Sequence, residues 1–258
     1  MSSHPEWQRA AAPPELSAAE VHVWRISLEC GDTALDRLRT FLADDERQRA
    51  GRFYFEKDRR HFIAGRGALR CLVAGYLVRH PSEVRFEYTN YGKPLLAGRP
   101  GAAELRFNLS HSHGLALLAV TRGRDVGVDL ERIRENLDGE QLAERFFSPR
   151  EVAVLRSLPP ELRREAFFQC WTRKEAYIKA NGKGLSLPLD QFDVTLRPGE
   201  PAALLATHYE PSEAHRWSMH GLMPGEGFVG ALAVEGQFGR LWCGHWTADE
   251  ETTSPRDL

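Results

Sequence analysis

Cysteine is scarce and scattered. Cys30, Cys71, Cys170 and Cys243 are the only four, far apart and with no CxxC among them, so neither a disulfide framework nor a zinc site is indicated. Reduced thiols are the expectation. No apolar run reaches the roughly 20 residues that a membrane-spanning helix needs, and the N-terminus has no signal-peptide hydrophobic stretch; a cytoplasmic protein that does not enter a membrane is expected. Charge of one sign is not in excess either: 34 Lys and Arg face 36 Asp and Glu, a formal net charge of -2, which argues against a general nucleic-acid binder. GxSxG is absent, and no cysteine lies in a nucleophile setting with histidine. Gly182-Lys183-Gly184-Leu185-Ser186 lacks the earlier glycine of a phosphate loop and follows a helix, so it is not read as one.

What is present is an ordinary globular composition, 42% hydrophobic and 27% charged over 258 residues, enough for one large domain or two modest ones. Residues 1–20 lack periodicity and are expected to be a loose arm. Val21–Leu28 alternates as a strand, Ala34–Leu42 is helical, and Asp44–Phe55 is a basic segment with Arg47, Arg49 and Arg52. A long helix is predicted over Asp58–Leu77, a turn at Asn90–Pro94, and strands at Leu105–Leu109, Leu115–Val120 and Val126–Leu130. Ser148-Pro149-Arg150-Glu151 opens a further helix, and a Pro-Pro break at 159–160 precedes the next. Short strands follow at 192–196, 204–209, 215–222, 227–234 and 241–246. Strand, helix, strands thus occurs twice, which predicts an α+β fold of two similar halves, 21–125 and 126–248, before a disordered tail at 249–258.

The chemistry gathers in a few stretches. In Phe167–Leu185, Phe167, Phe168, Trp171 and Ile178 form an apolar stripe at about 100° per residue. Lys174, Glu175 and Lys179 fall in an arc of roughly 140° that overlaps the stripe instead of opposing it. Either they snorkel, with a Glu175–Lys179 bridge, or they line a site awaiting an anion. Asp129 and Glu131 share one face of their strand and can share a hard divalent cation such as Mg²⁺; the plain alternative is a solvated strand face. Glu151 is a third carboxylate, yet local sequence favours a capping box with Ser148. His111, between Ser110 and Ser112, suits a phosphate donor or a turn histidine bonded to backbone. A cation, lysines, arginines and histidine together suit a substrate with several phosphates.

Five ordered blocks resemble one family. They are Tyr91-Gly92-Lys93-Pro94; Phe107-Asn108-Leu109-Ser110-His111-Ser112; Gly127-Val128-Asp129-Leu130-Glu131; Arg145-Phe146-Phe147-Ser148 with Glu151; and Trp171, Lys174-Glu175-Ala176, Lys179 and Gly182 through Leu189. The chain is similar over about Arg49–Phe192 to the 4′-phosphopantetheinyl transferases of the larger, surfactin-synthetase-activating type. The resemblance implies a monomer of two pseudo-symmetric halves with coenzyme A between them. It implies Mg²⁺-dependent transfer of phosphopantetheine from coenzyme A to a serine of an apo acyl or peptidyl carrier protein, releasing adenosine 3′,5′-bisphosphate, a holo-carrier synthase reaction. It places Asp129, Glu131 and Glu151 on the metal, Lys174 and Lys179 on the pyrophosphate, and Glu175 as base. Arg49, Ser110 and His111 would take coenzyme A phosphates, with Lys93 and Pro94 at the adenosine end. Glu46 stands where some relatives have lysine, which shifts the phosphate grip toward Arg47, Arg49 or Arg66. A Mg²⁺-dependent phosphohydrolase and a non-catalytic coenzyme A-binding module are the competing classes; the acids disfavour the second.

Overall fold

The computed structural model describes residues 6–89, 94–97, 105–182 and 184–249. Strands β1 (Gln8–Arg9) and β2 (Glu20–Ser27) lead into helices α1 (Asp32–Phe41), α2 (Asp44–Ala50) and the 22-residue α3 (Glu56–Leu77). A hairpin of β3 (Phe86–Tyr88) and β4 (Pro94–Leu96) precedes β5 (Leu105–Ser112), β6 (Leu115–Arg122) and β7 (Val126–Arg132). Then come α4 (Gly139–Phe146), α5 (Pro149–Ser157) and a second 22-residue helix, α6 (Pro160–Asn181). Strands β8 (Phe192–Val194), β9 (Leu204–Thr207), β10 (Trp217–Leu222), β11 (Phe228–Glu235) and β12 (Arg240–Trp246) follow. The predicted stop after the α6 periodicity is met by Gly182, which caps the helix at φ 75°, a backbone conformation glycine adopts without Cβ strain.

Two sheets carry the core. One runs β1-β12-β2-β6-β5 and the other β10-β11-β7. Alternation along β2 and β6 sends Trp24, Ile26, Leu118 and Val120 toward α3. It sends Val21, Val23, Leu117 and Ala119 onto Val126, Val128, Leu130, Leu232 and Val234 of the second sheet. The other face of that sheet, with Ala231 and Ala233, packs on Ala176, Tyr177 and Ala180 of α6. Each long helix therefore covers the outer face of one sheet, and the α+β expectation of two sheet-plus-helix halves holds. Contact between α6 and β7 is close: a Cβ on Gly127 would lie 2.1 Å from Ala176 O and 2.4 Å from Ala180 N, so only glycine fits the crossing.

Two expectations about organisation need correction. Residues 6–20 are no loose arm. Gln8 and Arg9 pair in parallel with Gly244 and His245 of β12, Trp7 Nε1 donates to Met223 O at 3.0 Å, and Leu16 is buried. Nor do the halves divide cleanly at 125, because β12 lies in the first sheet, parallel to β2, with Cys243 opposite Val23. The reason is apolar: Trp242 and Trp246 belong to the core beneath α3, and the free edge of β2 supplies the hydrogen bonds that satisfy the strand. Of the expected tail, residues 250–258 lie outside the described residues.

Candidate active site

Strand β5 is the spine of the site. Its even positions face β7: Asn108 Oδ1 accepts from Val128 N at 2.9 Å, Ser110 Oγ donates to Asp129 Oδ1 at 2.9 Å, and Ser112 Oγ donates to Glu131 Oε2 at 3.3 Å. Leu105, Phe107 and Leu109, at odd positions, pack into the core beneath α3, and His111 emerges on that side. The two sheets thus meet along a seam of side chains, and the seam is where charge collects.

Asp129 is buried, and Lys179 Nζ lies 2.5 Å from its Oδ1 and 3.0 Å from Ser110 Oγ. Its second oxygen, Oδ2, is buried without a hydrogen-bond partner. An orphaned buried carboxylate oxygen is costly and marks a place for a missing cationic or protic partner. Glu131 and Glu175 complete the group. Burial, then the neighbouring Asp129 charge, pushes the Glu131 carboxyl upward. Burial pushes Glu175 up to about 6; Lys179 opposes the rise, and Asp129 and Glu131 add to it. Three carboxylates within electrostatic reach, two of them reluctant to ionise, are charges waiting to be neutralised. Among the described residues no three such groups form a coordination sphere. The donor set, all oxygen, fits a hard divalent cation.

Around the carboxylates stand imidazoles and basic side chains. His111 is held below the usual imidazole value, first by loss of hydration and then by Lys179, His61 and Arg49. His113 is likewise lowered, by loss of hydration and by Arg132, Arg134 and Lys57. Arg49 is exposed and lies over the Phe62 ring at 5.2 Å. The largest cavity described, about 690 Å³, lies beside the carboxylates and not over them; Ile133, Gln169, Met219 and Val229 are in its lining.

Asp129, Glu131, Glu175, Lys179, Ser110, His111 and Arg49 are therefore brought together. Four other expected residues are not. Glu151 is buried away from the group: Ser148 N and Val194 N donate to its two oxygens at 2.9 and 2.8 Å, and Lys174 Nζ lies 2.7 Å from Oε2. The capping box with Ser148, which the local sequence favoured, is formed, and the expectation that Glu151 completes the metal set is not met. Lys174 is fully buried. Its ammonium has three donors, and Leu189 O and Phe192 O at 2.6 Å each, with Glu151, take all three. None remains for a pyrophosphate. Arg66 is almost enclosed, donating to Tyr88 OH at 2.8 Å beside Glu46 and stacked near Phe86 and Tyr88. Glu46, the departure noted in the sequence, is buried against Arg70 at 2.7 Å and accepts from Ala43 N at 3.0 Å; it pins α2 to α3. Pro94 is half-buried in β4 opposite Tyr88. Lys93 lies outside the described residues.

Sequence reasoning missed two things. Glu175, which the resemblance implied as a base and not as a metal ligand, is the third carboxylate of the cluster; its i,i+4 relation to Lys179, on the helix that crosses β7 at Gly127, was the available signal. His61 gave none, since only the packing of α3 against β5 brings it to His111.

Comparison with known proteins agrees with this architecture. Residues 30–122 match the 4′-phosphopantetheinyl transferase N-terminal family, and residues 125–233 match the 4′-phosphopantetheinyl transferase superfamily. The chain belongs to the 4′-phosphopantetheinyl transferases. Over 226 residues it is 46% identical to the 4′-phosphopantetheinyl transferase HetI of Nostoc sp., covering 87% of this chain and 92% of that one. Over 177 residues it is 31% identical to the 4′-phosphopantetheinyl transferase Sfp of Bacillus subtilis, covering 68% and 76%. Within the family it is of the Sfp type.

Proposed function

We propose that this protein transfers 4′-phosphopantetheine from coenzyme A to a serine of an apo acyl or peptidyl carrier protein, as a monomeric, Mg²⁺-dependent enzyme of the cytoplasm. The observation that carries the details is the trio of a buried Asp129 with the half-buried Glu131 and Glu175, and Lys179, at the seam near His111, His61 and Arg49. Asp129 and Glu131, with Glu175 beside them, would hold Mg²⁺. When bound, the ion supplies charge neutralisation at the pyrophosphate. Lys179 is the flexible cation within reach of the same phosphates, and Arg49 and His111 receive the outer phosphate charge. Glu175, next to Asp129 and Glu131, is suited by position to take the proton of the serine hydroxyl. The serine oxygen then forms a bond to the β-phosphorus as the P–O bond to adenosine 3′,5′-bisphosphate breaks, and positioning and charge stabilisation supply most of the acceleration.

The test is intact-mass spectrometry of apo carrier proteins incubated with coenzyme A, Mg²⁺ and the enzyme. A gain of one phosphopantetheine is expected, together with loss of activity in EDTA and a fall of about a hundredfold for Asp129→Asn, partly restored by higher Mg²⁺. Coenzyme A breakdown without any carrier would mark a phosphohydrolase instead. Binding without turnover would mark a coenzyme A-binding module.

A further inference from the structure

Two strand edges lie side by side at the seam, and side chains take the place of a ladder between them. β5 ends the five-stranded sheet and β7 ends the three-stranded one. Each is bonded on its other side, β5 to β6 and β7 to β11. An exposed strand edge ordinarily pairs backbone to backbone with whatever strand adjoins it. Here Asn108, buried on β5, offers its Oδ1 to the Val128 amide at 2.9 Å. Two residues on, Ser110 Oγ donates to Asp129 Oδ1.

Val128 directly precedes Asp129, so a bond to its amide restrains the backbone that carries the carboxylate. The other restraints on this stretch come from elsewhere. β11 pairs Val128 with Leu232 and Asp129 with Ala231, and Gly127 abuts the α6 backbone. Neither of these contacts involves β5, the strand that carries Ser110 and His111. Ser112 also reaches a β7 amide, that of Arg132, but at 3.3 Å. Asn108 is therefore the shorter tie from a β5 side chain to the β7 backbone among the described residues.

The residue type suits the place. The acceptor has to be neutral, because Asp129, Glu131 and Glu175 already crowd negative charge, and the last two are pushed toward protonation. A carboxylate at 108 would add to that repulsion. Leucine would keep roughly the same shape but leave the Val128 amide without its acceptor, a costly state for a buried donor.

We propose that Asn108 is a positioning residue of the reaction. Through the Val128 amide it sets the distance between Ser110 and His111 on β5 and Asp129 and Glu131 on β7, and so holds the carboxylates where one divalent cation can share them with the substrate phosphates. This rests on the transferase reading above.

Mn²⁺ is the probe. Its binding to the full chain, with coenzyme A present, is followed by loss of the free-ion electron paramagnetic resonance signal. Asn108→Leu is expected to weaken Mn²⁺ about tenfold or more, as loss of a group that orients metal ligands does. The Mg²⁺ needed for half-maximal modification of an apo carrier should rise by a similar factor, while KM for the carrier stays within about twofold. Thr207→Val is the control for instability alone. It removes a buried hydroxyl that donates to Glu210 O in the separate β8-β9 sheet, and it should lower the thermal transition without changing Mn²⁺ affinity. If Asn108→Leu does not fold, Asn108→Ala makes the same comparison. Unchanged Mn²⁺ affinity in the Asn108 variant, or an equal loss in Thr207→Val, overturns the positioning role and leaves the transferase intact. A wild-type protein that modifies no carrier overturns the transferase reading and this role with it.

Discussion

His22 ties the stability of this protein to pH through a single side chain. It is buried on β2, and its Nδ1 lies 2.8 Å from Tyr76 OH, which accepts a 2.8 Å bond from Trp24 Nε1. With Trp24 donating, the tyrosine proton points to His22, which then accepts as a neutral ring. Loss of hydration pulls its pKa down from 6.5 to about 4. Between those values the unfolded chain binds the proton and the folded chain does not, so stability falls as pH drops through the window and levels off below it. The expected loss is about 2 kcal/mol between pH 6.5 and 5. Urea denaturation at the two pH values measures it, and His22→Phe should remove most of the difference. An equal loss in that variant would assign the effect to other groups.

At the scale of elements, the three-way knot of α5, α6 and the β8 approach decides where the catalytic half of α6 sits. Lys174 joins Glu151 at the α5 N-terminus to the carbonyls of Leu189 and Phe192, and Ser148 Oγ reaches on to Asp193 at 2.5 Å. Lys174→Met leaves Glu151 charged and buried, which should cost about 3–5 kcal/mol. Pairing it with Glu151→Gln should recover a large part, so a double-mutant cycle by chemical denaturation is expected to show coupling above about 1 kcal/mol. Folded variants should keep their KM for coenzyme A. Were Lys174→Met to retain its stability and instead weaken coenzyme A, the phosphate role implied by resemblance would have to be restored.

For the whole molecule, the crossing of β12 into the first sheet means that the halves are not separable. A fragment of residues 21–125 lacks β1 and β12, exposes the edge of β2 and loses Trp242 and Trp246 from its core. Burying large aromatic side chains is worth several kcal/mol, comparable with a domain's net stability. The fragment is expected to show no cooperative thermal transition by circular dichroism, whereas residues 6–249 unfold cooperatively. A sharp transition in 21–125 alone would mean that the first half needs neither strand.

Local pattern alone was enough for much of this protein. Period-two alternation marked β5, apolar runs joined at a Gly-Arg-Asp turn marked β6 and β7, helical period marked α3 and α6, and Gly182 marked where α6 stops, because each depends only on near neighbours in the chain. The Asp129–Glu131 pair was legible for the same reason: two residues apart on a strand must share a face. Ser148–Glu151 was legible as a cap, and carrying a metal role over by resemblance was what misplaced Glu151. Tertiary packing decided the rest. Whether Lys174 lines a site or is buried depends on what covers its side of α6, and the loop carbonyls that enclose it come from 15 and 18 residues away. The place of Glu175 beside Asp129 depends on α6 crossing β7 at Gly127, a contact between segments about 50 residues apart. The strand that completes the first sheet comes from the other end of the chain, because a free strand edge and an apolar face are satisfied by whichever segment fits, and sequence distance has no part in that choice.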